Sequence, residues 1–404
     1  MADVLSSQIR KILDSRGNQT VEVDISLEEG SGTSAAPSGA STGIHEVVSF
    51  PEGGIDASLD IFEKEITSQI VGMDGLDQAT FDKWLHEIDG TDNFSRIGGS
   101  VAIAASLALA RAAADANNTP LWRYLAGIMP KSLPRPMGNV IGGGAHGVGG
   151  TDIQEFLTIA LGPTVRESVF ANSAVHKLVK EKLIERYPDH TIGKGDEGAW
   201  LASIGNEEAL EILVESCDEI SRTVGFDCKP CLDMAASEMY KDGMYRYREG
   251  SISPDGQVDF VADLVESFGL YSVEDPLQED DFEGFARMTE AIGEKCLVVG
   301  DDLFVTNIER LRKGVQIKAA NAILIKPNQI GTVTDTMQTV DLARKSNYQL
   351  IISHRSGETT DDSIAHLGVA FGCFGIKTGV VGGERTAKLN ELIRIEESIE
   401  AGDS

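Results

Sequence analysis

The chain has 404 residues, 41% hydrophobic and 25% charged, enough to bury one large core and a smaller one. Its formal charge of −29 excludes nucleic acid and anionic membrane surfaces as partners, because both would repel it. No run reaches the roughly 20 apolar residues that cross a bilayer, and Met1-Ala-Asp-Val has none of the order of a signal peptide, so a cytoplasmic protein is expected.

Val21 to Leu27 alternates apolar and polar residues at period two, which predicts a half-exposed antiparallel strand. Residues 57–71, 77–88 and 101–115 then carry helical spacing, the last almost without charge and therefore buried. These elements make a small α+β domain. Leu133-Pro-Arg-Pro136 interrupts the pattern and places a boundary near residue 130, dividing the chain into 1–130 and 131–404.

Three Gly-rich segments bury little. Glu29 to Gly43 is expected to be a long flexible loop of the kind that closes over a ligand. Gly142 to Gly150 contains a formal GxGxxG, but the following Thr151-Asp-Ile-Gln-Glu-Phe-Leu-Thr-Ile reads as a strand, against a dinucleotide fingerprint. Gly193-Lys-Gly-Asp-Glu-Gly198 is a turn or presents an active-site acid. Cys228-Lys-Pro-Cys231 matches CxxC alone and reads as strand packing, and the five cysteines as buried thiols.

Toward the C-terminus, five apolar runs end on chemically active residues: Glu274, Asp301, Lys326, His354 and Lys377. They lie 23 to 28 residues apart, the length of one parallel strand with its crossover helix. The class predicted is α/β, with a (β/α) barrel whose strand ends gather two acids, two lysines and a histidine on one rim. That set suits a metal held by carboxylates with a lysine base beside it.

The ordered motifs Asp14-Ser-Arg-Gly-Asn18, Pro37-Ser-Gly-Ala-Ser-Thr-Gly43, Gln154-Glu-Phe156, Gly195-Asp-Glu-Gly198, Ser272-Val-Glu-Asp-Pro276, Gly300-Asp-Asp-Leu303, Leu324-Ile-Lys-Pro327, Ser353-His-Arg-Ser356 and Ile376-Lys-Thr-Gly379 resemble the enolase family along nearly the whole chain, with an archaeal character. The resemblance implies a (β/α)8-type barrel behind an N-terminal α+β domain, and reversible dehydration of 2-phosphoglycerate to phosphoenolpyruvate with two Mg²⁺ per active site. By the same resemblance Asp233, Glu274 and Asp301 hold the tight Mg²⁺, and Ser41 closes onto the second. Lys326 is the base for the C2 proton, its pKa lowered by Lys377 and the metal ions, while Lys377 stays charged against the substrate carboxylate. Glu197 is the general acid with Glu155 as its partner, Arg355 and Ser356 bind phosphate, and His146, His354 and Gln154 complete the site. A homodimer or homo-octamer is implied.

Asp14, Arg16 and Asn18 are expected to join the two domains, and His86, His176, His190 and His366 to have surface or core roles. The chain departs from the family pattern after Glu46, where a charged segment is missing, after His146, where Gly-Val-Gly-Gly replaces more polar residues, after Trp200, and at Gly98-Gly-Ser-Val. None of these removes an implied catalytic residue. A superfamily relative with another carboxylate substrate, or a non-catalytic ion-binding protein, would have less use for the phosphate motif or for the paired base and acid.

Overall fold

A computed structural model describes residues 2–39, 43–127, 132–147 and 150–402. Three antiparallel strands, Val4–Leu13, Gln19–Leu27 and Ser31–Ala35, form an N-terminal sheet. The central strand buries Val21, Val23, Ile25 and Leu27 on one face, as alternation at period two requires. The helix Gly99–Ala116 lies across that face, and its small residues are nearly all buried. It is the one helix among the described residues long and apolar enough to cross a membrane, yet 83% of it is buried inside the fold. The expected long loop at 29–43 begins instead as the strand Ser31–Ala35. Its glycines permit this: a Cβ on Gly32 would stand 2.1 Å from the Ala108 carbonyl oxygen, so only a bare backbone fits under the helix.

The helices predicted at 57–71, 77–88 and 101–115 correspond to Gly54–Ile70, with a π-turn at Phe62–Ile66, to Gln78–Asp89 and to Gly99–Ala116. The strand Val4–Leu13 was not legible, because its burial is irregular and most of its residues are exposed or half-exposed. The boundary placed near 130 falls among residues 128–131, outside the described ones.

Eight strands then close a barrel in the order Arg135–Gly142, Glu155–Ala160, Cys228–Asp233, Ser272–Glu274, Leu297–Gly300, Ala322–Ile325, Gln349–Ser353 and Gly375–Lys377, the last pairing with the first. All five apolar runs ending on chemical residues are consecutive parallel strands. The second strand, Glu155–Ala160, runs antiparallel to both neighbours, a departure from the all-parallel pattern. Among its described residues the connection from Gly142 to Glu155 carries only the 3₁₀ turn Gly144–His146 and no helix to make a crossover, so the chain folds straight back. The helices Val165–Arg186 and Asn206–Val224 cover this part of the barrel before the parallel alternation begins.

The N-terminal unit docks on the rim of the barrel. The Ser15 N–H donates to the Glu358 carbonyl (2.7 Å), Ser38 and Gly357 exchange backbone hydrogen bonds, and Arg16 pairs with Asp196 at 2.9 Å. Asp14 accepts from the N–H groups of Arg16 and Asn18 and from the Ser38 hydroxyl, which shapes this contact as expected.

Candidate active site

Strand register sets the site. Glu155 lies beside Asp233, and Asp233 beside Glu274, so three adjacent strands present carboxylates at one level. Glu155 begins its strand while the other two end theirs. The reversed direction of that strand brings its N-terminal end to the rim where its neighbours finish. Asp301 follows the next strand, and Lys326, His354 and Lys377 stand at or just past the ends of the last three.

The Lys377 ammonium is buried among acids: its Nζ lies 2.9 Å from Asp233 Oδ2, 2.8 and 2.9 Å from the Glu274 oxygens and 3.3 Å from Glu155 Oε2. Burial alone would pull this ammonium down, but Asp233, Glu155 and Glu274 outweigh it and hold it well above the ordinary lysine range. Lys326 donates to Asp301 Oδ2, and Gln329 to Asp301 Oδ1 at 3.0 Å. Burial, Arg355 and Lys377 push Lys326 down, but Asp301 raises it among these side chains; the lowering expected is that of the metal-bound site.

Asp275 was not anticipated as part of the site. It turns left-handed at φ 39°, a conformation aspartate tolerates better than most residues, and its carboxylate receives the backbone N–H groups of Asp301 and Asp302 (3.0 and 2.8 Å). It thereby fixes the segment that presents Asp301. Oxygens of Asp275, Asp301 and Asp302 all lie within 4.8 Å of one another. Burial and Asp301 raise Asp302 to about 7. Burial and Asp233 hold Glu274 well above the usual carboxylate range. With Glu155, Glu197, Asp233, Glu274, Asp275 and Asp301 buried around Lys326, Lys377 and Arg355, the pocket is short of positive charge. Its donors are hard oxygens, and this chemistry fits a hard divalent cation.

Glu197 sits at the tip of a hairpin in which Gly193–Lys194 pairs with Trp200–Leu201, so the Gly193–Gly198 segment is both a turn and the bearer of an acid. Gly198 has φ 78°, and a Cβ there would come within 2.4 Å of the Val381 carbonyl oxygen. Asn139 of the first barrel strand donates to Glu197 Oε2 at 3.4 Å, and His354 Nε2 lies 3.5 Å from Oε1. Burial, then Glu197, raises Glu155 well above the carboxylate range, which favours a proton on Glu155. Gln154 is buried at the pocket, and its Oε1 has no hydrogen-bond partner among the described residues.

Arg355 is buried and gripped by Glu46 through a two-pronged pair of 2.8 and 3.0 Å, with Asn328 Oδ1 at 3.2 Å. Ser356 follows it in the same pocket lining. Glu46, Asn139, Asp275 and Arg385 were all missed as site residues. Each acts on another residue of the site, and no local spacing marks such a partner. Ser41 and the side chain of His146 lie outside the described parts, so the structure places neither. Cys228 and Cys231 are both buried free thiols, raised by burial to about 11 and about 12, as inert packing residues would be.

A closed α/β barrel with a cap, whose strand ends gather buried carboxylates around two lysines, has the architecture of a barrel enzyme. Residues 130–403 match the family model described as the enolase C-terminal TIM barrel domain, and residues 5–125 that of the enolase N-terminal domain. The chain is 52% identical over 398 residues to the enolase of Methanothermobacter thermautotrophicus, covering 97% of this chain and 96% of that one. It is 51% identical over 400 residues to that of Natronomonas pharaonis (98% and 99%), and 49% over 392 residues to that of Thermoplasma acidophilum (97% and 98%). The chain belongs to the enolase family and is a carbon–oxygen lyase of its hydratase type.

Proposed function

We propose that the chain reversibly dehydrates 2-phospho-D-glycerate to phosphoenolpyruvate, in glycolysis and gluconeogenesis, with two Mg²⁺ per site. The observation that carries this reading is one pocket lined by Lys326, Glu197, Lys377 and Arg355 together with buried carboxylates. Asp233, Glu274 and Asp301 would hold one Mg²⁺, and Ser41 would contribute to the second. When bound, Mg²⁺ supplies the positive charge that a carboxylate substrate needs as it gains a second negative charge, and it relieves Lys326 of the Asp301 charge that keeps it protonated.

Neutral Lys326 then takes the proton from C2. The electrons of that C–H bond form the C2=C3 double bond as the C3 hydroxyl departs, receiving its proton from Glu197 and leaving as water. Glu155 shares the acid's proton. Lys377, held cationic by its three acidic neighbours, faces the substrate carboxylate. The Arg355 fork and Ser356 receive the phosphate, with Glu46 holding the guanidinium in position until then. Gln154, His146 and His354 complete the contacts.

The same reading carries a division at residue 130 between capping and barrel domains, a cytoplasmic location, and assembly as a homodimer or homo-octamer. The test is the rise in ultraviolet absorbance of the conjugated product after 2-phosphoglycerate is added with Mg²⁺. A rise abolished by a chelator is expected; folded protein that gives none at any salt concentration would refute the substrate.

A further inference from the structure

Arg385, near the start of the last helix Gly383–Glu400, is completely buried in the wall behind the pocket. Its Nη1 lies 2.7 Å from His354 Nδ1 and 2.6 Å from the Arg355 carbonyl oxygen. Its Nη2 donates to the carbonyls of Ser356 (2.7 Å) and Asp196 (3.3 Å), and its Nε lies 3.2 Å from Glu384 Oε1. One guanidinium therefore holds both the segment carrying Arg355 and Ser356 and the hairpin tip carrying Glu197.

The contact with His354 also decides a proton position. A guanidinium has five N–H donors, no acceptor, and never loses its proton at working pH. His354 Nδ1 must then supply a lone pair, which leaves the imidazole proton on Nε2, the nitrogen 3.5 Å from Glu197 Oε1. Burial, aided by Arg385, keeps the ring from taking a second proton, with a pKa near 4 despite the attraction of Glu197.

We propose that Arg385 is a positioning residue that locks His354 as the neutral Nε2–H tautomer aimed at Glu197. In that state the histidine has no free lone pair with which to intercept the proton on Glu197, so the proton is reserved for the departing hydroxyl. Once Glu197 has given it up, the Nε2–H steadies the carboxylate that remains. This rests on the reading of Glu197 as the general acid, but the tautomer itself can be measured without turnover.

The experiment is a long-range proton–nitrogen correlation spectrum of the full-length protein labelled with ¹⁵N-histidine, at neutral pH, with the His354 signals identified by their loss in His354→Asn. One protonated Nε2 and one lone-pair Nδ1 are expected; an Nδ1–H tautomer or an imidazolium overturns the proposal. In Arg385→Ala the single-tautomer signature should disappear and kcat fall about 10- to 100-fold, the usual cost of losing the partner that orients a functional histidine. Millimolar guanidinium should restore both. A variant that keeps the Nε2–H tautomer without the arginine overturns the lock, as does a loss that guanidinium leaves unrepaired, since that marks disturbed packing. Failure to turn over 2-phosphoglycerate, with the tautomer as stated, would count against the functional reading alone.

Discussion

At the scale of single residues, the site depends on which charge prevails at each buried group. Lys326 and Lys377 are both ammonium groups at strand ends, yet their surroundings differ. Three acids surround Lys377, whereas among the described residues Asp301 is the one acid that forms an ion pair with Lys326. Lys326→Ala should lower kcat by at least about 10²- to 10⁴-fold, the range for losing a general base, with Mg²⁺ affinity changed little. Steady-state turnover beside a Mg²⁺ titration checks this, and near-normal turnover would remove Lys326 from the role. Asp275 holds the backbone at Asp301 and Asp302. Asp275→Asn keeps one acceptor and loses the charge, so the Mg²⁺ concentration for half-maximal activity should rise several-fold, as for partners that orient metal ligands.

At the scale of elements, two short features bring acids to the pocket. The reversed second strand delivers Glu155 to the rim, and the hairpin Gly193–Leu201 delivers Glu197. That hairpin is braced by His176, whose Nε2 lies 2.8 Å from the Gly198 carbonyl oxygen, and by the Trp200 indole N–H donating to the His176 carbonyl. Gly198→Ala would force a side chain into the left-handed region, costing about 1–2 kcal/mol, and against the Val381 carbonyl as well. The tip must shift, so kcat should fall at least about tenfold while Mg²⁺ binding persists. A variant with unchanged kcat would show that the position of the tip is not critical. The rule that a functional residue follows an apolar run finds Asp233, Glu274 and Asp301. It cannot find Glu155, which precedes its run, or Glu197, which sits at a hairpin tip beyond a two-residue ladder with no apolar pattern.

At the scale of the whole molecule, the cap is fastened to the barrel partly through charge. Asp361 accepts from the Ser34 hydroxyl and the Ala35 N–H of the N-terminal sheet and pairs with Arg111 of the buried helix. Burial would raise this carboxyl, but Arg111 and the hydrogen bonds from Ser363 and Ala35 hold it down at about 2. The folded value lies below the unfolded one, near 3.9, so the stabilisation is complete above pH 4 and lost as the pH falls toward 2. It amounts to roughly 2–3 kcal/mol. Thermal midpoints recorded between pH 4 and pH 2 should fall more steeply for the natural chain than for Asp361→Asn, and parallel curves would exclude this group. The net charge of −29 adds self-repulsion throughout. Raising KCl from 0.01 to 1 M shortens screening from about 30 to 3 Å and should raise the melting temperature, which differential scanning calorimetry would register. A flat or falling response would mean that repulsion is not what limits stability.

The sequence by itself determined the helices of the cap, the even parallel strands from Glu274 onward and, through its ordered motifs, the family with its implied base, acid and metal ligands. Those features are written locally, in periodicity and in the residue that ends each run. The tertiary structure alone decided that the second strand runs backward, that Ser31–Ala35 is a strand under a helix, that Asp301 pairs with Lys326, and that Glu46, Asn139, Asp275 and Arg385 support the site. Each of these rests on groups far apart in the chain, where direction, register and the balance of buried charge exist only once the barrel has closed.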